Sequence, residues 1–427
     1  MSIHLFCPLV RALARRGKFA AAWLVLSGAC VRAETPVAAP WLELGLLART
    51  GYDSDARLTG GSATETLGGR ETFVFAAGAT VGVSRSRSGA DGARWRLGYA
   101  GEAVRFAQLA DENFSAHRLS ASGQFSAGRW RFVGEGSSVI IAGGSETLPT
   151  CGAVNANALA VWRDRRENRQ HRLKLQTEAT AGAWVLRGSG TFLANDFHTR
   201  AVAGAFAFAD RDDAVAGVDL GRRQAAGALT FFGVRRGRQN QAVVPLPGCE
   251  FDYSSDYSRV VAGWEGRLWS GVSMTFAAGP DFRRFTGAID PRAMPGGRDR
   301  TSFWYEGGLV AKLAPEVTLT AKAAQMDWLS STGKSAYVDS FGEAAITWTP
   351  RGTWSWRGSA RVHRCDYFPV VRDDWEALLG VGATWTLPRG ARLSCDVLHH
   401  RGWNTVSGVN EREFQRLAVT FGATIRL

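Results

Sequence analysis

The chain has 427 residues, of which 45% are hydrophobic and 21% charged, with a formal net charge of +12. Glycine is abundant (50), proline is scarce (13), and 16 tryptophans is a high number for this length. No apolar stretch near the roughly 20 residues of a membrane-spanning helix occurs after the N-terminal segment, which excludes a helical membrane protein. The modest charge excess gives no reason to expect a nucleic-acid partner.

The first 33 residues have the pattern of a secretory signal. Four basic residues between positions 11 and 18 precede an apolar run of about eleven residues at 19–29, and Val31-Arg32-Ala33 is a small-x-small cleavage site. A membrane anchor would need a longer apolar run. A lipoprotein signal ending at Cys30 would need Leu three residues earlier, where Ser27 stands. We therefore predict a signal peptide at 1–33 and one domain at 34–427.

The signal accounts for part of the positive charge. It holds five of the 51 Lys and Arg residues and none of the 39 Asp and Glu residues, so residues 34–427 carry a net charge of +7 rather than +12. After residue 40 no Pro-rich, Ser-rich or single-sign charge run marks a domain boundary. The remainder of the chain is therefore read as a single unit.

Strict alternation of apolar and polar residues dominates the chain from residue 41 onward. At the C-terminus, for example, Leu417, Val419 and Phe421 alternate with Ala418 and Thr420. Alternation of this kind predicts β-strands with one apolar face. Strands are predicted at 41–52, 71–86, 93–107, 114–127, 129–141, 169–181, 183–196, 213–224, 226–238, 255–268, 271–286, 301–313, 316–328, 337–349, 353–366, 373–387, 390–402 and 412–427.

The connections between these strands alternate in length. A soluble β-sandwich would also show alternating strands, but it has no reason to keep short and long connections in strict order through nine hairpins. That order is typical of closed antiparallel transmembrane β-barrels, which have short periplasmic turns and long extracellular loops. We predict an all-β barrel of about 18 strands (16–18), with both chain ends on the short-turn side. Short turns are predicted at 88–92, 127–128, 181–182, 225, 270, 314–315, 350–352 and 388–389, and longer loops at 53–70, 108–113, 142–168, 197–212, 239–254, 287–300, 329–336, 367–372 and 403–411.

Tryptophans support the same arrangement, because five of them lie within a few residues of a predicted short turn. A ring of aromatic side chains at the membrane interface is typical of such barrels. Tryptophan also favours strands in general, but that preference alone would not place it beside turns. The predicted periplasmic girdle consists of Trp130, Trp184, Trp354, Trp356 and Trp385.

Chain 34–427 resembles bacterial outer-membrane β-barrel proteins of porin-like type. Gly51-Tyr52-Asp53-Ser54-Asp55 is similar to a segment found after the first strand in several such families. The alternating last strand resembles the C-terminal signal read by the barrel-insertion machinery, although that signal usually ends in an aromatic residue and this chain ends in Leu427. The resemblance implies location in the cell outer membrane of a Gram-negative bacterium, with outer-membrane lipid and the insertion machinery as partners.

If the apolar face of each strand meets lipid, the charged face lines the interior. Two interpretations stay open: a water-filled pore whose charges, mainly basic, select solutes, or an interior closed by its own ion pairs. Two residues four positions apart on one strand project from the same face but lie about 13 Å from each other. Their ion-pair partners are therefore expected on neighbouring strands. The predicted pore-lining residues are Arg96, Glu102, Arg131, Glu135, Lys174, Glu178, Arg187, Arg259, Glu265, Arg267, Glu306, Lys312, Glu343, Arg357, Arg361, Glu376 and Arg392.

The remaining motifs carry little chemistry. Cys151 and Cys249 follow similar Leu-Pro-x segments in two long loops, and an exported chain could join them in a disulfide. The loop at 142–168 either folds inward as a constriction or stays on the surface. His363 and Ser359 lie too far apart on one strand for a direct hydrogen bond, and no metal or cofactor motif occurs. We predict neither an enzyme nor a bound cofactor or metal.

The leading functional hypothesis is a passive channel for small hydrophilic solutes with some preference for anions. One alternative is an export barrel for an anionic exopolysaccharide. The other is a non-conducting barrel with a structural or surface-binding role. A homo-oligomer is possible under each hypothesis, and the sequence does not distinguish a monomer from a trimer.

Overall fold

The protein is described from a computed structural model. The structure describes residues 41–56, 71–86, 92–143, 167–197, 210–225, 227–242, 251–289, 297–329, 336–350, 352–368, 372–404 and 414–426. Within these residues no helix is long and apolar enough to cross a membrane.

Eighteen strands make up nearly all of the described chain. Short 3-10 helices at Ala110–Glu112 and Pro388–Gly390 are the exceptions. The strands are β1 (Trp41–Asp53), β2 (Thr72–Ser86), β3 (Arg94–Phe106), β4 (Phe114–Ala127), β5 (Trp130–Gly143), β6 (Asn168–Ala181), β7 (Trp184–Phe197), β8 (Arg211–Arg223), β9 (Leu229–Gln241), β10 (Ser255–Trp269), β11 (Val272–Phe285), β12 (Asp299–Ala314), β13 (Val317–Leu329), β14 (Ala336–Trp348), β15 (Trp354–Phe368), β16 (Arg372–Thr386), β17 (Arg392–Asn404) and β18 (Phe414–Arg426).

Each strand pairs antiparallel with its neighbours in sequence, and the sheet closes where β1 pairs with β18. Closure leaves no exposed sheet edge, which is the only arrangement that lets strands satisfy all backbone hydrogen bonds inside a bilayer. The predicted fold class, a closed antiparallel barrel of 18 strands, is confirmed. The predicted alternation of short and long connections holds for most hairpins but not for all. Three residues separate β15 from β16, fewer than the five of each adjoining turn, and seven residues separate both β2 from β3 and β3 from β4.

Strand ends were predicted closely, with the clearest difference at the turn between β8 and β9. The predicted turn was Ala225 alone, with β9 starting at 226. Instead the Gln224 N–H donates to Ala228 O at 2.7 Å and the Gly227 N–H donates to Gln224 O at 2.9 Å. Gly227 has a φ of +82°, which glycine adopts without strain. The local hydrogen bonds therefore delay the start of β9 to Leu229.

Two other turns show how glycine sets the tightest hairpins. Ala127 pairs with Trp130 and Ala181 pairs with Trp184, so each turn has only two residues between its strands. Gly128 has a φ of +57° and Gly182 of +60°. Two-residue turns with positive φ match the right-handed twist of paired strands, and glycine meets that requirement best. Each of these turns brings a tryptophan to the start of the next strand.

The outer surface of the barrel carries an apolar belt. Large apolar side chains on alternate positions of most strands are exposed, among them Leu44, Phe75, Phe232, Phe303 and Val381. All five tryptophans predicted for the girdle are exposed beside short turns, and Trp354 stacks on Trp356 and Trp385 with ring centroids 6.1 and 5.5 Å apart. An exposed apolar belt bordered by aromatic residues is the surface of a barrel that spans a membrane.

Candidate functional site: the barrel interior

The pairing register decides which charges meet inside the barrel. Glu178 lies opposite Arg131 on one neighbouring strand and Arg187 on the other, and Glu135 lies opposite Lys174. Directly opposed residues project to the same side of the sheet. The predicted charges therefore do find partners on neighbouring strands, as their spacing along single strands required.

The interior beside β7–β13, here called the packed side, holds a dense ionic cluster. Arg259 Nε donates to Asp281 Oδ2 at 2.7 Å, and Arg283 lies 3.4 Å from the same oxygen and 3.5 Å from Asp327 Oδ2. Both guanidinium groups also lie over the ring of Tyr257, at 4.4 and 4.7 Å from its centroid. All five side chains are buried, so these charges neutralise one another away from water.

Direct contacts cross the interior on the packed side. Gln239 Nε2 of β9 donates to the backbone oxygen of Asp327 on β13 at 3.1 Å. Arg211 of β8 donates to the backbone oxygen of Leu329 and lies over the Trp328 ring, 5.3 Å from its centroid. Because β10–β12 separate these strands along the sheet, the contacts pass across the barrel rather than along its wall. The contacts therefore bridge strands four or five places apart and fill the interior in front of β10–β12.

Apolar packing extends the packed side toward the short turns. Val185, Phe231, Val261 and Trp304 form one buried cluster contributed by four strands. Arg187 lies over the Phe231 ring at 5.6 Å and donates to Glu265 Oε1 at 2.5 Å. This region matches the interpretation of an interior closed by its own contacts.

The interior beside β1–β6, here called the basic side, has the opposite character. Its basic side chains reach water, and one of its carboxylates, Glu102, lies buried behind two of them, whereas Glu135 is exposed. Glu102 is only 8% exposed and accepts from both Arg49 and Arg118, which are 41% and 49% exposed. Arg96 and Arg426 share Glu43 at 3.2 and 3.3 Å, although this carboxylate is half-buried rather than buried. The residues that define the basic side are Arg49, Arg96, Arg118, Arg131, Arg172 and Lys174.

A third feature is a row of imidazoles and carboxylates across β14–β17. His363 Nε2 contacts Asp339 Oδ1, and His363 Nδ1 lies 3.8 Å from Glu376 Oε2. Glu376 Oε1 in turn contacts His400 Nε2. Four neighbouring strands thus contribute one inward-facing side chain each. The row lies in the half of the barrel nearer the long loops.

The predicted pore-lining residues divide into two groups. Buried side chains that do not present their charges to water are Glu102, Glu178, Arg187, Arg259 and Glu376, because each is enclosed in the contacts described above. The others are exposed or half-buried: Arg96, Arg131, Glu135, Lys174, Glu265, Arg267, Glu306, Lys312, Glu343, Arg357, Arg361 and Arg392. The accessible interior charge is therefore mainly that of the second group.

Some functional residues were missed in the sequence. Asp281 and Arg283 occupy alternate positions of a predicted strand, and that spacing could have placed them on the inner face with their neighbours. The Asp339–His363 contact had no such signal, because it depends on the register between two strands. Cys151, Cys249 and residues 144–166 of the long loop lie outside the described residues, so the disulfide and the inward or outward pose of that loop stay predictions.

No protein-family model matches the chain, and no curated protein matches it. Among solved structures, the chain is similar to the outer membrane protein OpdK from Pseudomonas aeruginosa, with 10% identity, a TM-score of 0.42 and coverage of 91% of this chain and 99% of that one. It is also similar to OccK2 (OpdF) of the same organism, crystallised with glucuronate. The identity is 11%, the TM-score is 0.42, and the match covers 90% of this chain and 98% of that one. A third similar structure is OccAB3 of Acinetobacter baumannii, with 9% identity, a TM-score of 0.41 and coverage of 90% of this chain and 99% of that one. Identities and scores this low assign neither a family nor a substrate to this chain.

Proposed function

We propose that this protein is a passive channel for small hydrophilic solutes, with a preference for anions, in the outer membrane of a Gram-negative bacterium. The single observation that carries the proposal is the contrast between the two sides of the interior. The packed side is filled by buried side chains and by contacts between strands four or five places apart. The basic side keeps Arg49 and Arg118 open to water while Glu102 lies behind them.

The arrangement of charge supports selection by sign. A carboxylate beneath two guanidinium groups fixes their positions without facing the aqueous path itself. Charged groups lining a narrow aqueous path raise the local concentration of ions of opposite sign. An anion that enters along the basic side therefore meets six exposed arginine and lysine side chains and the one exposed carboxylate of Glu135.

The outer surface supports the placement in the membrane. Its apolar belt matches lipid, and in barrels of this type the short turns face the periplasm and the long loops face outward. Outer-membrane lipid and the barrel-insertion machinery are accordingly the proposed partners. Assembly into a homo-oligomer is compatible with this proposal and not required by it.

Conductance with ion-selectivity measurement in planar bilayers tests the proposal. Purified barrel is expected to give stepwise conductance and, in a KCl gradient, a reversal potential of the sign for chloride preference. Absence of steps from folded protein would favour the non-conducting barrel. Cation preference would remove the role proposed for the basic side.

Matched variants on β6 make the test specific. Arg172 and Lys174 face the interior and are exposed, so replacing both with Gln leaves no buried carboxylate without a partner. The double variant R172Q/K174Q is expected to reduce chloride preference. Arg169, exposed on the outer face of the same strand, is the control, and R169Q should leave the reversal potential unchanged. An equal effect of both variants would contradict the proposed path.

A further inference from the structure

Three different metal-binding side chains converge on β14 and β15. Asp339 lies directly opposite Cys365 in the register, and His363 is two residues before Cys365 on the same face. One carboxylate oxygen, one imidazole nitrogen and the sulfur all lie within 4.8 Å of one another. This set combines a hard, a borderline and a soft donor, which suits first-row transition metals rather than Ca²⁺ or Mg²⁺.

The second nitrogen of the imidazole faces a carboxylate, the group that normally supports a metal-binding histidine, at a distance longer than a hydrogen bond. His363 Nε2 faces Asp339, whereas Nδ1 lies 3.8 Å from Glu376 Oε2. In metal sites the non-ligating ring nitrogen usually donates to a carboxylate, which fixes the ring and makes the ligating nitrogen a better donor. Glu376 is itself held by its contact with His400. The row across β14–β17 therefore supplies both ligands and their support.

The three donor side chains are mostly buried, and the site is open to the interior on one side only. Cys365 is fully buried and packs with Tyr337 and Tyr367, while the His363 side chain is 5% exposed. Asp339 is 18% exposed and forms the open edge of the cluster. Buried donors of low mobility bind more tightly than donors in water, because little ordering remains to be done when the ion arrives.

The distances between the three donor atoms are close to those in a zinc site. A zinc ion lies about 2.3 Å from sulfur and about 2.0–2.2 Å from nitrogen or oxygen, so tetrahedral ligand atoms are roughly 3.3–3.7 Å apart. The three donor atoms now lie within 4.8 Å of one another, so the longest separation closes by about 1 Å. His363 Nε2 and Asp339 Oδ1, which are in contact, move apart to admit the ion, and rotation of the Asp339 side chain allows this. Arg361, a cation on the same face of β15, lies over the Phe341 ring, 5.6 Å from its centroid, and opposite Glu343.

We propose that Asp339, His363 and Cys365 bind one divalent transition-metal ion, with Zn²⁺ as the reference ion and Glu376 as the positioning residue. Water completes the coordination at the side of Asp339. On binding, the Cys365 thiol loses its proton to solvent and the sulfur–metal bond forms, so one proton is released without any redox step. The site is independent of conductance and would exist equally in a barrel that does not conduct.

Cobalt substitution tests this site through its sulfur ligand. The full barrel, folded in detergent, is titrated with Co²⁺ and then with Zn²⁺. One Co²⁺ per barrel with a thiolate-to-cobalt charge-transfer absorption is expected, and Zn²⁺ should displace it. Binding without that absorption, or no saturable binding, would overturn the proposal and leave the row as ion pairs only.

Variants separate the site from other cysteines and histidines. C365S should remove the charge-transfer absorption, and H363Q and D339N should weaken Co²⁺ binding even if C365S fails to fold. E376Q should retain the absorption but weaken binding by about 10–100-fold, as loss of a carboxylate behind a ligating histidine does. C395S and H399Q, on the outer face of β17, are the controls and should bind as the parent does. Equal loss in the controls, or full binding by folded C365S, would contradict the assignment.

Discussion

Arg416 of β18 and Asp53 of β1 form a two-point ion pair across the seam where the barrel closes, with Nε–Oδ1 and Nη2–Oδ2 distances of 2.9 and 2.7 Å. Asp53 is buried, and the Leu417 N–H next to Arg416 donates to Ser54 Oγ at 2.7 Å. Residues at the end of the first strand thus hold the last strand in place. The seam joins the two ends of the sequence, so it is the pairing with the greatest loop-closure cost.

Removing one partner of this pair should weaken closure. D53N leaves Arg416 beside a neutral amide in a buried position, and loss of one partner of a buried ion pair costs about 3–5 kcal/mol. Urea unfolding in lipid vesicles measures the change. The control is E43Q, which removes the half-buried partner of the exposed Arg426 on the same two strands and should cost about 1 kcal/mol or less. Equal losses in both variants would contradict a special role for the buried pair.

The second feature of the seam is Gly51 of β1, where the backbone of β18 comes too close to leave room for a side chain. A Cβ added at Gly51 would collide with the Val419 backbone oxygen and lie 2.8 Å from Thr420 Cγ2. G51A should therefore destabilise the barrel by about 1–3 kcal/mol, the usual cost of overpacking. At Gly342 an added Cβ meets nothing within 4 Å, so G342A serves as control in the same unfolding assay. No difference between the two would mean that the strands shift apart freely at the seam.

The seam also shows how far sequence reasoning reached. Alternation and connection length predicted β1 and β18 and their shared end of the barrel. The Gly51–Asp55 segment stood out only through its resemblance to other barrels, and its pairing with Arg416 could not be predicted because register is a property of two strands. The same applies to the packed side. Single-strand patterns placed Arg187 and Arg259 on the inner face correctly, but contact between strands that are not neighbours depends on the curvature of the whole barrel.

The apolar belt predicts a depth-dependent cost for charge on the outer face. Val381, near the middle of β16, is 62% exposed on the face that we assign to lipid. V381R should destabilise the folded barrel by about 2–4 kcal/mol, the cost of an arginine near the bilayer midplane. T320R, at an exposed inward position of β13, is the control and should be close to neutral. If T320R were the more costly of the two, the assignment of faces would be reversed.

Charge reversal on β15 provides a test of selectivity at the opposite wall. Arg357 and Arg361 are exposed and face the interior below His363. The double variant R357E/R361E changes the interior charge by four units and should shift the reversal potential toward cation preference. R105E, on the outer face of β3, should leave the reversal potential unaltered. Unchanged selectivity in R357E/R361E would mean that the path of the ions does not run along β15.

The division of the interior into a basic side and a packed side is tested most directly by thiol modification during single-channel recording. Two serines are compared in a background in which all cysteines are replaced by serine. Ser120 faces the basic side and is exposed, whereas Ser255 lies on the packed side and is fully buried. With a charged methanethiosulfonate reagent, S120C should lose current and S255C should not. A loss of current in S255C would contradict the account, and so would an unchanged current in S120C.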